Sequence, residues 1–289
     1  MRYNSLRNYL SSAHSSGSAG PIAVIVVEDD VEIASTFRHH ADLGFKTIIA
    51  LVPSGVELPP EVPEVVSVVS HETTGSAPIE SAINRIIEAS PEQWIFYCFN
   101  AEYLFFPFCE TRSVGEMLAF HKEERRHAML TCVVDLYAKD LTQYDNGVSL
   151  EEAYLDGSGY YALARKDPEK DYAPKDRQLD IFGGLRWRFE EHVPETRRRV
   201  DRIGIFRANP GLKLRHDHTL NEEEYNTFSC PWHHNLTAVI CSFRAAKALK
   251  RNPGSRDQID TFFWRKSEPF QWHSQQLLDM GMMEPGQWY

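Results

Sequence analysis

Pro21-Ile22-Ala23-Val24-Ile25-Val26-Val27, closed abruptly by Glu28-Asp29-Asp30, is the stretch that decides the fold class. A continuous β-branched run without polar alternation suits a strand buried on both faces, as in a parallel sheet covered by helices. Asp30 has the chemistry of an N-cap for a helix through about Leu43, with Ile33 and Phe37 on its inward stripe and Gly44 as its stop. Thr47 to Val52 reads as a second strand, stopped by Pro53-Ser54-Gly55, and Val65 to Val69 as a third. Ser76 can cap a helix through about Ala89 whose buried face is Ile79, Ile83, Ile86 and Ile87, and Trp94 to Phe99 is another buried strand. Strands alternating with helices at this spacing imply right-handed crossovers and an α/β fold with a mostly parallel central sheet. Ligands of such sheets bind beyond the carboxyl ends of the strands. Two polar clusters fall there, Glu28-Asp29-Asp30 and Asn100-Ala101-Glu102.

Farther along, Val114 to Arg125 reads as a helix and His127 to Tyr137 as a strand. Residues 138–180 are polar and rich in Asp, Lys, Tyr and Gly, and are expected to form a long functional loop. Asn235 to Arg251 has helical periodicity, and Asp257 to Met280 is expected to hold more helix. The organisation that follows is an N-terminal arm and linker over 1–20, a main domain over 21–250 and a helical extension over 251–289. Trp264, Phe270, Trp272 and Trp288 in that extension are expected to be packing residues rather than a sugar platform, covering either the core or a partner.

The chain has 289 residues, 42% hydrophobic and 25% charged, which is enough to bury a large core without disulfides. Its 31 basic and 41 acidic residues give a formal charge of −10, which disfavours general nucleic-acid binding. Arg197-Arg198-Arg199, with Arg202 and Arg207, is either a solvated face or a site for an anionic headgroup or diphosphate. The five cysteines (98, 109, 132, 230 and 241) contain no C-x-x-C pair and fit a reducing compartment. Met1 to Gly20 lacks the apolar centre of a secretory signal, and no apolar run is long enough to span a bilayer, so a cytoplasmic protein is expected. No G-x-G-x-x-G follows the first strand, and neither a Walker loop nor G-x-S-x-G occurs, which disfavours dehydrogenase, kinase and hydrolase readings.

The segment Phe99-Asn100-Ala101-Glu102-Tyr103-Leu104-Phe105-Phe106-Pro107 resembles the bacterial family 2-like glycosyltransferases of the GT-A fold. That family carries Asp-x-Asp-Glu, aromatic and aliphatic residues and a proline at this place. Glu28-Asp29-Asp30 through His39-His40-Ala41-Asp42-Leu43-Gly44 is similar to its nucleotide-binding start. Gly183-Gly184-Leu185-Arg186 is similar to its Gly-Gly-x-Arg segment, and Gly211 through His218 to the region of its late histidine. The similarity spans roughly residues 22 to 250.

The resemblance implies a nucleotide-sugar donor and a carbohydrate or glycolipid acceptor, as in bacterial polysaccharide or glycoconjugate synthesis. It further implies a divalent cation, Mn or Mg, on Asn100, Glu102 and His218, because a diphosphate leaving group develops charge that a hard cation offsets. Glu28, Asp29, Asp30 and Asn100 would contact the donor. Arg186 and Arg188, sharing one face as alternating residues of a strand, would offset the diphosphate. An inverting transfer needs a general base, for which Asp180, Glu190 and Glu191 are the candidates. Asn100, Glu102 and Tyr103 stand where the family has Asp, Asp and Glu, so an inactive, scaffolding or metal-independent member is the alternative. Other uses of these residues also stay open: helix capping for Glu28 to Asp30, a turn cap for Asn100 and an internal arginine partner for Glu102. His216-x-His218 on a strand and His233-His234 are either metal-facing pairs or ordinary surface histidines.

Overall fold

A computed structural model describes residues 1–13, 20–72, 79–228 and 235–288. Strand β1 (Arg2–Tyr3) and helix α1 (Leu6–Ala13) come first, then β2 (Ile22–Val26), α2 (Ile33–Asp42), β3 (Thr47–Val52), β4 (Val66–Ser70), α3 (Ile79–Ala89) and β5 (Trp94–Phe99). All five residues of β2 are buried, and β2 runs parallel to β3 on one side and β5 on the other. The reason is visible in the packing. Ala23 and Ile25 share one core cluster with Ile33 and Phe37 of α2, whereas Val24 and Val26 belong to a second cluster with Ile83 and Ile86 of α3. The expected linker residues 15–19 and the cap Ser76 lie outside the described residues. The N-terminal arm belongs to the body, since β1 pairs in parallel with β4 and Leu6 and Tyr9 are buried beside α3.

Helix α2 departs from expectation at its start. Asp29, not Asp30, organises the turn by accepting the Val31 N–H at 3.0 Å. The helix then begins only at Ile33, after Glu32 in the left-handed region (φ 56°), and no side chain caps it. Its end follows the sequence: Gly44 takes φ 89° and donates to the Ala41 carbonyl.

The second half supplies β6 (Glu102–Phe105), α4 (Val114–Glu123), β7 (Ala128–Ala138), β8 (Ala153–Asp156), β9 (Tyr161–Asp167), β10 (Ala173–Phe182), α5 (Gly184–Arg188), β11 (Asp201–Arg207), β12 (Ala238–Ser242), α6 (Arg244–Arg251), β13 (Ser267–Pro269) and α7 (Ser274–Asp279). The expected loop over 138–180 instead holds β8, which pairs with β7, and an antiparallel hairpin of β9 and β10. The expected helix from Asn235 divides: Ala238 to Ser242, buried throughout, becomes a strand, and only Arg244 onward is helical. The terminal region is also less helical than expected. Besides α7 it contains β13 on β8, while Phe270, Leu277 and Trp288 are buried in the core.

The main sheet runs β1-β4-β3-β2-β5-β11-β7-β12-β6. It is an α/β fold with a large mixed sheet and a mostly parallel core. β11 lies antiparallel between β5 and β7, and β7 is parallel to β12. The carboxyl ends of β2, β5, β7 and β12 therefore share one edge with the amino end of β11. No helix among the described residues is long and apolar enough to cross a membrane.

Candidate functional site

A cleft of about 640 Å³ opens at that shared edge. Although the chain is acidic overall, the lining holds seven Arg and Lys residues against five Asp and Glu. Helix α6 supplies three of the cations. Arg244, Lys247 and Arg251 fall on one helix face through their spacing of three and four. Arg244 clasps Glu28 through two bonds of 2.7 Å. Lys247 donates to Asp29 at 3.0 Å and Arg251 at 2.6 Å. Burial would raise the Asp29 pKa, but Lys247 and the Asn100 amide hold it below the ordinary range. Burial pulls Lys247 down in turn, offset by Asp29. Asp30 is exposed and stands 3.8 Å from Arg251.

Asn100 is fully buried and saturated. Its carbonyl accepts the Glu28 N–H at 2.8 Å, and its amide donates to the Asp29 carboxylate at 2.7 Å and the Val31 carbonyl at 2.8 Å. Glu102 is equally enclosed. Arg202 donates to both of its oxygens, at 2.8 and 3.2 Å, and Ser242 Oγ and the Phe99 N–H donate at 3.0 and 2.9 Å. Burial alone would raise the Glu102 pKa, but the Arg202 charge and hydrogen bonds lower it to about 2.

His216 and His218 lie in a turn, not on a strand; His216 is exposed, and His218 has φ 64°. The His218 ring stacks on Tyr97 and pairs with its hydroxyl at 3.0 Å. Burial, followed by the charges of Arg202, Arg244 and Arg186, lowers its pKa to about 3, so it is neutral at pH 7. The residues expected to hold a cation are thus committed elsewhere: Glu102 to Arg202, Asn100 to backbone and Asp29, and His218 to Tyr97. Among the described residues, no three His, Cys, Asp or Glu side chains are gathered as a metal site. His233 and His234 lie outside the described residues.

Arg186 and Arg188 sit on helix α5 rather than on a strand, which separates them. Arg186 lines the cleft and donates to the Arg199 carbonyl at 2.9 Å. Arg188 turns away to Asp156, at 3.0 Å, and the Phe262 carbonyl. The base candidates stand outside the lining: Asp180 pairs with Arg165 and Arg199, Glu190 with Arg198, and Glu191 lies 3.8 Å from His192. From the arginine run, Arg197, Arg199 and Arg202 line the cleft, whereas Arg198 and Arg207 pair with Glu190 and Glu92.

Sequence reading passed over Arg244, Lys247, Arg251 and Asp135. The α6 set could have been found as a basic face at helical spacing. Asp135, at the carboxyl end of β7, is 1% exposed. It accepts the Arg186 N–H at 3.4 Å on one oxygen, while the other has no hydrogen-bond partner. Burial pushes its pKa up to about 6, against the opposing charge of Arg186. Gly184 (φ +63°) makes this approach possible, since a Cβ there would lie 2.8 Å from the Asp135 carboxylate.

No protein-family model matches the chain, and no curated protein matches it significantly.

Proposed function

We propose that the chain transfers a sugar from a nucleoside-diphosphate donor to a hydroxyl of a carbohydrate or glycolipid acceptor, in bacterial polysaccharide or glycoconjugate assembly. The observation that carries this reading is the cleft at the carboxyl ends of β2, β5 and β12, whose lining gathers seven Arg and Lys residues in a chain that is acidic overall. Within it, Glu28 and Asp29 would address the nucleoside, while Arg186, Arg199 and Arg244 would face the phosphates. An inverting transfer needs a general base, for which Asp180, Glu190 and Glu191 remain the candidates.

A second reading, a binding protein that holds a phosphorylated ligand without reacting, is favoured by one observation. Asp180 and Glu190 are both in ion pairs and none of the three carboxylates lines the cleft. Melting curves with UDP, GDP, CMP and their sugars test the shared premise, because a ligand that binds only the native state raises the Tm. A shift with one nucleotide and its sugar, followed by release of that nucleotide when acceptor sugars are added, supports transfer. Intact donor after prolonged incubation supports binding alone. No shift with any of them defeats both.

A further inference from the structure

Glu28, just past the end of β2, and Glu102, which opens β6 shortly after the end of β5, each grip a guanidinium. Arg202 is bound end-on by both oxygens of Glu102 and is only 3% exposed, yet it lines the cleft. Arg244 is bound through Nε and a terminal nitrogen by Glu28. The ring of Phe99 ties the two together, with its centroid 5.3 Å from the Arg202 guanidinium carbon and 3.6 Å from that of Arg244. Tyr97 offers Arg202 a second ring at 5.5 Å. These contacts fix the planes of both guanidiniums while leaving further N–H donors on each.

We propose that this clasped pair, Arg202 and Arg244, takes the place of a divalent cation, so that the cleft binds a diphosphate group without metal. The inference rests on the phosphate class named above but not on sugar transfer. The charge balance supports it: two carboxylates with two guanidiniums sum to zero, as do two carboxylates with one divalent ion. Arg186, reaching the same cleft from α5, adds a cation whose nearest acid, Asp135, is 3.6 Å away. Guanidiniums also suit phosphate oxygens geometrically, offering paired N–H donors where a metal offers coordination. A divalent ion added there would find the Glu28 and Glu102 carboxylates already held by guanidiniums, and in solution it would compete with the arginines for the phosphate.

The test is calorimetric titration of the full chain with inorganic pyrophosphate and with UDP and GDP, in excess EDTA and again in Mn²⁺. The expected result is pyrophosphate binding in EDTA that Mn²⁺ leaves unchanged or weakens. Arg244→Gln and Arg186→Gln, whose side chains are partly exposed, should each weaken it about tenfold, the scale of one lost charge-assisted contact. Because Arg202→Met removes a buried ion-pair partner and can fail to fold, Arg202→Met with Glu102→Leu serves as the companion variant, and it too should lose binding while remaining folded. Nucleotide binding that requires Mn²⁺ overturns the inference and leaves the nucleotide reading standing. Pyrophosphate binding in EDTA with no preference for any nucleotide upholds the inference and overturns the nucleotide reading. Absence of binding under every condition overturns both.

Discussion

The ends of β2 and β5 lie side by side in the sheet and carry similar residues, yet they have become different kinds of place. At the end of β2, Glu28 is about 29% exposed, and its partner Arg244, 28% exposed, comes from a helix that forms the cleft wall. At the end of β5, Glu102 is 0% exposed and is closed over by Arg202, Ser242 and the Phe99 amide. An acid cluster past a buried strand is therefore not a ligand site by composition. What decides is whether the next element leaves the carboxylates open. After β5 the chain turns directly into β6 through Ala101 (φ 61°), which draws Glu102 into the sheet. After β2 it leaves through an Asp29-centred turn that keeps Glu28 at the rim.

The strongest way to break this contrast is Glu102→Ala. It leaves Arg202 buried without its counter-charge and should cost about 3–5 kcal/mol in urea unfolding. Combining it with Arg202→Met should restore much of the loss, since the penalty lies in the orphaned charge. The pH dependence has a definite sign. The folded Glu102 pKa is depressed to about 2, so its contribution is complete above the unfolded value near 4.5 and is lost as pH falls toward 2. A Glu102→Ala protein as stable as the parent would mean that the seal is not structural.

Asp135 sharpens the comparison from the opposite side, as a buried carboxylate whose pairing is incomplete. Its folded pKa is raised from 3.8 to about 6, so its cost is absent below 3.8, develops between these values and is full above 6. Asp135→Asn should therefore stabilise the protein at pH 8 by up to about 3 kcal/mol, with the gain vanishing by pH 4. Equal Tm changes at the two pH values would refute this.

Asp29 is intermediate: 10% exposed, bonded to Lys247, Arg251 and the Asn100 amide. Asp29→Ala strands the nearly buried Lys247 and frees the Val31 N–H, which should cost about 1–3 kcal/mol. Arg251, at 47% exposure, can turn to water, so Arg251→Ala should cost much less. Paired denaturant melts of the two variants check the ordering.

Much of the parallel half was legible in the sequence. Runs such as Ile22 to Val26 and Trp94 to Phe99 are apolar at every position because helices cover both faces, and that pattern is local. The hairpin of β9 and β10 was not legible. Its residues are mostly exposed, as with Tyr161, Leu163 and Tyr172, so no buried face leaves a period of two in the sequence. Ala238 to Ser242 misled because a short, fully buried run has no period that separates strand from helix. At the site, Glu28, Asp29 and Asn100 were found from their place at strand ends. Their partners were not, because Arg244 and Lys247 lie more than two hundred and a hundred and forty positions away in sequence from the groups they bond. Arg202 did leave a trace, as one of two charges opening the otherwise apolar strand Asp201 to Phe206. A charge there can persist only with a buried partner such as Glu102.

The smallest effect is expected at Glu190, which shares its ion pair with Arg198 but faces solvent, at 57% exposure against 33% for the arginine. A pair of this kind gains little in high dielectric, and Glu190→Ala should change the unfolding free energy by about 0–1 kcal/mol. That near silence makes it informative. If Glu190 is only a surface acid, the variant should match the parent in stability and in pyrophosphate affinity alike. If it serves as the base in sugar transfer, the variant should keep both of those and lose turnover by about a hundredfold or more, the usual contribution of a positioned base. A transferase assay on this stable variant therefore separates a surface acid from a catalytic one without the confounding loss of fold that Glu102→Ala carries.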